Sequence, residues 1–151
     1  MKLFVPYVPS PPEQIETIFR LIKIIPGQKS IDLGSGDGRL VIAMAKRGLE
    51  AHGFEIREKY VRRAKLNIIK QGLQGKAFIH QGDFWEENLG LYDIVSIYGM
   101  AAIMDELEKK FTRELRPSTL VISNGFKIPH WNTWKEEEHL YIYKKHRTIY
   151  E

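Results

Sequence analysis

Three glycines at alternate positions, Gly34, Gly36 and Gly38, follow directly after a short apolar run. Carboxylates stand beside them at Asp32 and Asp37. Because glycine tolerates positive φ and has no Cβ, a chain leaving a strand can turn sharply here and lie flat against a ligand such as a nucleoside. The apolar residues after the loop recur with a helical period, so the loop lies where a strand ends and a helix begins. In a βαβ unit this is the place where nucleotide cofactors bind.

The spacing of the loop narrows the choice of cofactor. The dinucleotide fingerprint is GxGxxG, followed about 20 residues later by an acidic residue that binds the ribose. This chain reads DxGxGxG, and Glu55 lies 21 positions (55 minus 34) after Gly34. The residue that a ribose needs is present, but the glycine spacing does not suit a pyrophosphate. Asp37 would also place a negative charge at the helix start, which favours a cationic or zwitterionic ligand. A glycine-rich turn without a ligand is the alternative interpretation.

Composition predicts one domain spanning residues 1–151, a length that can bury a sizeable core. The chain has no Cys, which excludes disulfides, thiolate metal ligands and a cysteine nucleophile. The five His residues are scattered without ligand spacing, so no metal site is expected. No apolar stretch approaches the roughly 20 residues of a membrane span. We therefore expect a cytoplasmic protein with no membrane association. The net charge of +4 is compatible with nucleic acid, an acidic protein surface or neither.

Alternating apolar strands and helices predict an α/β fold with a doubly wound, mostly parallel sheet. Ser10 and Glu13 match a capping box that would start a helix over 11–25. The further predicted helices cover 39–48 and 57–71, and a last one buries Met104, Leu107, Phe111 and Leu115. The predicted strands are 29–33, 49–55, 76–81, 92–98, 119–124 and 140–144. The last strand should pair antiparallel with either 133–138 or 147–150.

The glycine loop resembles motif I of the class I S-adenosylmethionine methyltransferases, whose ligand carries a sulfonium and an amino acid group in place of phosphates. The resemblance implies a Rossmann-like class I methyltransferase fold and S-adenosyl-L-methionine as the cofactor. Residues 28–151 would form the Rossmann-like core, and residues 1–27 would cover the site. The loop residues that it implies for cofactor binding are Asp32, Gly34, Ser35, Gly36, Asp37 and Gly38.

Other candidate site residues follow the strands, because ligands of such sheets bind beyond the carboxyl ends of the strands. Glu55 would accept the ribose hydroxyls, and Asp83 the adenine amino hydrogens. Ile56 and Phe84 would sandwich the adenine ring. A helix N-terminal charge is the alternative for Glu55, and a turn residue is the alternative for Asp83.

The residues after the fourth strand, 96–100, lack the Asn or Asp, two prolines and an aromatic that are typical of base amino methylation. The segment 5–10, VPYVPS, together with DLGSGDGR at 32–39, resembles a small family of protein-lysine methyltransferases of archaea and mitochondria. Gly53 with Glu55, Asp83 with Phe84, and Phe126 with Trp131 extend the resemblance. It implies an archaeal-type enzyme that methylates accessible lysines of protein substrates.

The acceptor lysine would reach the cofactor through an aromatic channel, which we predict to be lined by Tyr7, Tyr98 and Trp131. Ordinary core packing is the alternative for each ring. Two other functions stay open. One is an RNA or small-molecule methyltransferase, to which the basic helix around 59–70 could contribute. The other is a cofactor-binding module without catalysis.

Overall fold

Seven strands and four α-helices make up the part of the chain that the structure, a computed structural model, describes, residues 9–146. The strands are β1 (Lys29–Leu33), β2 (Glu50–Glu55), β3 (Ala77–Gln81), β4 (Ile94–Tyr98), β5 (Leu120–Asn124), β6 (Lys135–Glu137) and β7 (Leu140–Lys144). The helices are α1 (Pro12–Leu21), α2 (Arg39–Lys46), α3 (Glu58–Lys70) and α4 (Ala101–Glu114). Two short 3-10 turns, Phe84–Glu86 and Leu89–Leu91, connect β3 to β4.

All seven strands form one sheet in the order β3-β2-β1-β4-β5-β7-β6. The first five are parallel, β7 is antiparallel to β5, and β6 is antiparallel to β7. The prediction of a doubly wound sheet with an antiparallel C-terminal hairpin is confirmed. Of the two partners predicted for the last strand, the segment 133–138 supplies β6, and 147–150 lies outside the described residues.

Helices cover both faces of the sheet, as the hydrophobic periods require. The α1, α2 and α3 helices bury one side-chain cluster against one face, for example Ile18, Met44 and Ile68. The α4 helix covers the other face near β1, β4 and β5 with Leu107 and Phe111, which are fully buried. The prediction that Met104, Leu107, Phe111 and Leu115 share the buried face of this helix is confirmed. None of the described helices is both long and apolar enough to cross a membrane.

The first helix differs from its prediction at both ends. Pro11 is its N-cap with φ −62° and ψ 151°, and no side chain caps the helix. The predicted capping box is therefore wrong, because Pro11 precedes Pro12 and a residue before proline avoids the helical region. Because the helix begins at Pro12, its N-cap position is occupied by Pro11 and Ser10 lies one residue too early to cap it. At the other end the helix stops at Leu21, because Ile22 is already extended with φ −116° and ψ 147°.

Candidate active site

A small cavity lies beyond the carboxyl ends of β1, β4 and β5. Its volume is about 30 Å³, room for only a few ligand atoms, whereas small-molecule pockets typically hold about 300–1,000 Å³. Predicted cofactor residues and the predicted channel residue Tyr98 share its lining. The lining residues are Pro9, Ser10, Ile18, Asp32, Gly34, Ser35, Gly36, Asp37, Arg39, Leu40, Ser96, Ile97, Tyr98, Ile122 and Asn124.

The glycine loop has the backbone shape that its sequence predicts. Gly34, Gly36 and Gly38 have φ values of 80°, 57° and 83°, in the left-handed region where a side chain is strained. The amides of Gly34 and Ser35 both donate to the carbonyl of Phe54 at 2.9 Å. Gly38 caps α2 with this left-handed backbone. The loop is thus fastened to β2 and passes directly into the helix.

The buried carboxylate of Glu55 holds the glycine loop in place through a hydrogen bond. Its carboxylate is 2% exposed, and its Oε1 accepts a hydrogen bond from the amide of Gly36 at 2.9 Å. Its Oε2 accepts from the amide of Arg57 at 3.0 Å and lies 3.5 Å from the Arg57 guanidinium. Each carboxylate oxygen has two lone pairs, so acceptor capacity for ribose hydroxyls remains. Glu55 does not line the small cavity, and its ribose role stays a prediction.

Gly53 allows β2 to approach the loop closely. A Cβ at this position would lie 2.5 Å from Ser35 Oγ and 2.8 Å from Val41 Cγ2, both closer than real side chains come. Ser35 is buried, and its hydroxyl has no hydrogen-bond partner among the described residues. The glycine two residues before Glu55 is therefore required by packing, independently of any ligand.

Two carboxyl groups flank the loop in different electrostatic surroundings. Ser96 Oγ donates to Asp32 Oδ1 at 2.9 Å. Part of Asp32 is open to the cavity, but the surrounding protein desolvates its carboxyl. This burial raises the pKa of Asp32 to about 7; the hydrogen bond from Ser96 opposes the rise, and the charges of Glu55 and Asp37 add to it. A cation in the cavity would favour the ionised form of Asp32.

Asp37 is paired inside the protein. Arg39 donates to it through its backbone amide, Nε and Nη2 at 3.2, 3.1 and 2.7 Å. Arg39 Nη1 also donates to the carbonyl of Ser10 at 3.3 Å, which ties the loop to the residues before α1. Arg39 therefore partly balances the charge of Asp37, and the attraction of Asp37 for a cationic ligand stays a prediction.

The residues predicted to hold adenine lie outside the small cavity. Asp83 caps the first 3-10 turn by accepting from the amide of Trp85 at 3.0 Å, which is the turn role considered as its alternative. Phe84 is 7% exposed and packs against Trp85 with ring centroids 5.0 Å apart. Ile56 is 37% exposed after β2. The adenine roles of all three residues stay predictions.

Lys110, which the sequence analysis did not identify, holds this turn in place. It lies on α4 and is 4% exposed, and its Nζ donates to the carbonyls of Trp85 and Glu87 at 2.9 and 2.7 Å. A third bond at 3.0 Å reaches the carboxylate of Glu114. All three ammonium hydrogens therefore have acceptors, and the connection after β3 is anchored to α4.

Asn124 is a second residue that the sequence analysis missed. It ends β5 beside Tyr98, the last residue of β4, and both line the cavity. Asn124 is 6% exposed and pairs with Gln14 of α1 through reciprocal side-chain amide hydrogen bonds. The partners are 110 positions apart, and no local pattern signals such a pair.

Two of the three residues predicted to line an aromatic channel, Tyr98 and Trp131, are among the described residues. Trp131 packs against Phe111 and Tyr143, with ring centroids 6.2 and 6.1 Å away. It lines a second cavity, with residues near the end of β7, and this cavity does not include Tyr98. Trp131 is half-buried and packs against the aromatic core over α4, so it and Tyr98 line different cavities, and their shared channel stays a prediction. The third predicted ring, Tyr7, lies outside the described residues.

The sheet order, the glycine loop after β1 and the acidic residue that ends β2 define a class I methyltransferase fold. A solved RNA methyltransferase from Salinibacter ruber, in complex with S-adenosyl-L-homocysteine, superimposes with a TM-score of 0.88 at 26% identity, over 94% of this chain and 96% of that one. The ANTKMT methyltransferase domain profile matches residues 32–135. The chain belongs to that family.

Named relatives agree with this family. Over 130 residues the chain is 37% identical to a Homo sapiens lysine N-methyltransferase whose name refers to ATP synthase, covering 86% of this chain and 55% of that protein. It is 35% identical to a protein-lysine N-methyltransferase of Saccharolobus islandicus, covering 85% of this chain and 81% of that protein. The chain thus spans little more than half the length of the human relative.

Proposed function

We propose that this protein transfers methyl groups from S-adenosyl-L-methionine to lysine side chains of protein substrates. The observation that carries the proposal is the shared cavity, in which the glycine loop and Asp32 meet Tyr98 and Asn124 at the ends of β4 and β5. The names of the human and archaeal relatives, both lysine N-methyltransferases, support it. We also propose that it acts in the cytoplasm.

The chemistry of the loop residues and Glu55 suits such a cofactor, most of which would lie outside the small cavity. The left-handed glycines let the backbone lie against a flat nucleoside, and Glu55 has lone pairs left for its ribose. Asp32 offers a carboxyl group to the positive charge of the amino acid end. The cofactor supplies an electrophilic methyl on its sulfonium, so the protein needs no nucleophile of its own.

The protein's part in the transfer is alignment and desolvation. A lysine of pKa about 10.4 must lose its proton before it can attack. A buried, largely uncharged surrounding lowers that pKa, and an aromatic ring can hold the side chain on the way in. Tyr98, half-buried at the end of β4, lies where such a ring would act. In-line approach within a dry site supplies the remaining rate gain.

Replacing Tyr98 with Ala tests this assignment. We expect the rate of methyl transfer to a lysine peptide to fall by about 10–100-fold, in the range typical of a lost positioning group. The affinity for S-adenosyl-L-homocysteine, measured by calorimetry, should change much less. Tyr98→Phe, which keeps the ring, should retain most of the activity. Equal losses of rate and cofactor affinity in Tyr98→Ala would contradict a role on the acceptor side.

RNA as the methyl acceptor is the second candidate, because the Salinibacter ruber structure is described as an RNA methyltransferase. The basic residues of α3 are all exposed, and Arg62 pairs with Glu58 at 3.0 Å, as in an ordinary solvated face. Incubation with tritiated cofactor and mixed archaeal proteins and RNA separates the candidates. Label removed by protease supports protein methylation, and label removed by RNase supports RNA. No label with folded, cofactor-binding protein would leave a non-catalytic module.

A further inference from the structure

Asn124 lines the cavity at the end of β5, and its carboxamide is paired with that of Gln14 on α1. We infer that Asn124 binds the acceptor amine through its side-chain oxygen and that Gln14 is a positioning residue that fixes the orientation of this carboxamide. The inference rests on the proposed function and names how the same site would hold its second substrate.

The location of Asn124 supports this role. The glycine loop follows β1, and the cavity extends from it past the end of β4 to the end of β5, so this is the side from which the acceptor would approach. Tyr98 and Asn124 are register partners at these two ends. Asn124 is fixed there by its backbone as well, since its carbonyl accepts from the amide of Gly99 at 2.8 Å.

The chemistry of a carboxamide suits an amine that must react while neutral. An attacking lysine keeps its lone pair for the methyl group and needs acceptors for its N–H hydrogens. A carboxylate in this place would stabilise the unreactive ammonium form, whereas a neutral oxygen accepts from the amine without that bias. The charged and titratable groups that share the cavity are Asp32 on β1, Asp37 and Arg39 of the loop, and Tyr98 on β4.

Gln14 holds the carboxamide in one orientation. Its Nε2 donates to Asn124 Oδ1 at 2.8 Å, and Asn124 Nδ2 donates to Gln14 Oε1. This pairing leaves one lone pair on Asn124 Oδ1 for a further donor. The α1 helix that carries Gln14 is held against the sheet by the buried side chain of Ile18, and its Arg20 pairs with Glu137 of β6.

Asn124→Asp tests the inference at constant side-chain size. The new carboxylate should raise the pKa of the bound lysine by about one unit, the lower end of the range for a close opposite charge. The pH profile of methyl transfer should therefore move to higher pH by about that amount, with about tenfold lower rates on its acidic side and convergence with the wild type at high pH. Affinity for S-adenosyl-L-homocysteine should stay within a few-fold.

Three further variants separate this effect from loss of structure. Asn124→Ser keeps a neutral oxygen and should keep the wild-type pH profile even if its rate is lower. Gln14→Ala should raise KM for the peptide more than it lowers kcat, again without moving the profile. Asn132→Asp adds the same charge at an exposed position and should change neither the pH profile nor the KM for the peptide.

The outcomes distinguish the two levels of the proposal. If the wild type methylates lysine but Asn124→Asp, folded and binding cofactor, keeps the wild-type pH profile, the role of Asn124 is overturned and the proposed function stands. A rate that falls equally at every pH would likewise overturn it. If the wild type binds cofactor but methylates no lysine, both the proposed function and this inference fail.

Discussion

On the β1 side of the cavity the site is made of backbone, whereas on the β4 and β5 side it is made of side chains. The β1 side consists of a glycine loop whose amides are held by Phe54 and Glu55, with the bond from Gly36 to Glu55 spanning only 19 positions. The opposite side depends on Asn124 and Gln14, which are 110 positions apart. A loop that needs positive φ angles can be recognised in the sequence from its glycines. A side-chain pair between residues far apart in the chain, such as Asn124 and Gln14, cannot.

The largest expected effect concerns Lys110, whose long-range hydrogen bonds hold the turn after β3. Lys110→Met keeps the aliphatic stem but removes the hydrogen bonds from Lys110 to the carbonyls of Trp85 and Glu87 and to the carboxylate of Glu114, which keeps its bonds from the Leu89 amide and Arg113. Breaking a buried charge pair typically costs about 3–5 kcal/mol of unfolding free energy. Urea unfolding measures the loss. Lys109→Met is the control, since its exposed pair with Glu106 should contribute less than about 1 kcal/mol. Similar losses in both variants would contradict the anchoring role of Lys110.

The next effect concerns Asp32, the carboxyl on the β1 side whose pKa is raised by burial. Its raised pKa means that the stability contributed by the protonated form of Asp32 is full below about pH 4 and is lost as the pH rises through about 7. At about 1.4 kcal/mol for each pH unit between 3.8 and about 7, the loss is at most about 4 kcal/mol. Asp32→Asn removes the ionisable group and should therefore avoid this loss of stability.

Thermal or urea unfolding of Asp32→Asn and the wild type across pH checks this prediction. The variant should gain stability over the wild type between about pH 4 and 7, and the gain should then level off. An advantage that is the same at pH 4 and pH 8 would show that Asp32 is not desolvated in the folded protein.

A third effect concerns the buried carboxylate that orders the loop. Glu55→Ala removes the acceptor of the amides of Gly36 and Arg57. Hydrogen bonds to a charged group are worth about 1.5–3 kcal/mol each, so we expect the affinity for S-adenosyl-L-homocysteine to fall about 100-fold or more. Calorimetry measures the affinity. Glu58→Ala, at an exposed position three residues further on, should bind as the wild type does. Unchanged binding in Glu55→Ala would remove this residue from the site.

The smallest expected effect tests the fit between β2 and the loop. Gly53→Ala places a Cβ against Ser35 and Val41 and should cost about 1–3 kcal/mol of stability, as overpacking does. Gly82→Ala is the matched control, because the nearest atom to its Cβ would be 3.8 Å away. The midpoint of urea unfolding should fall for the first variant only. If both tolerate the methyl group, the contact between strand and loop is not tight.

The sequence predicted the parallel core and the β1 side of the site because both follow from local rules. Apolar periods placed β1 to β5 and the buried face of α4, and glycines marked the left-handed turns at 34, 36 and 38. The prediction failed at the start of α1, where two successive prolines overrode the cap signal of Ser10.

Tertiary packing decided the remaining residues. The sequence allows Trp131 to serve either a channel or core packing, and only the folded chain shows that it packs against Phe111 and Tyr143 while staying half-buried. Lys110 occurs in a charged stretch of α4 that is typical of a surface, and only the folded connection after β3 gives it three buried acceptors. No spacing rule relates it to Trp85.

The short last strand of the sheet has a consequence for association between chains. β6 is only three residues long, Lys135 to Glu137, and all three are charged. An incoming strand would have to bring its own backbone against these ammonium and carboxylate groups, which are also bound to α1 through Leu21 and Arg20. A short, charged margin of this kind discourages growth of the sheet by addition of a neighbouring molecule. If copies of this protein assemble, they should do so through another surface rather than through this edge.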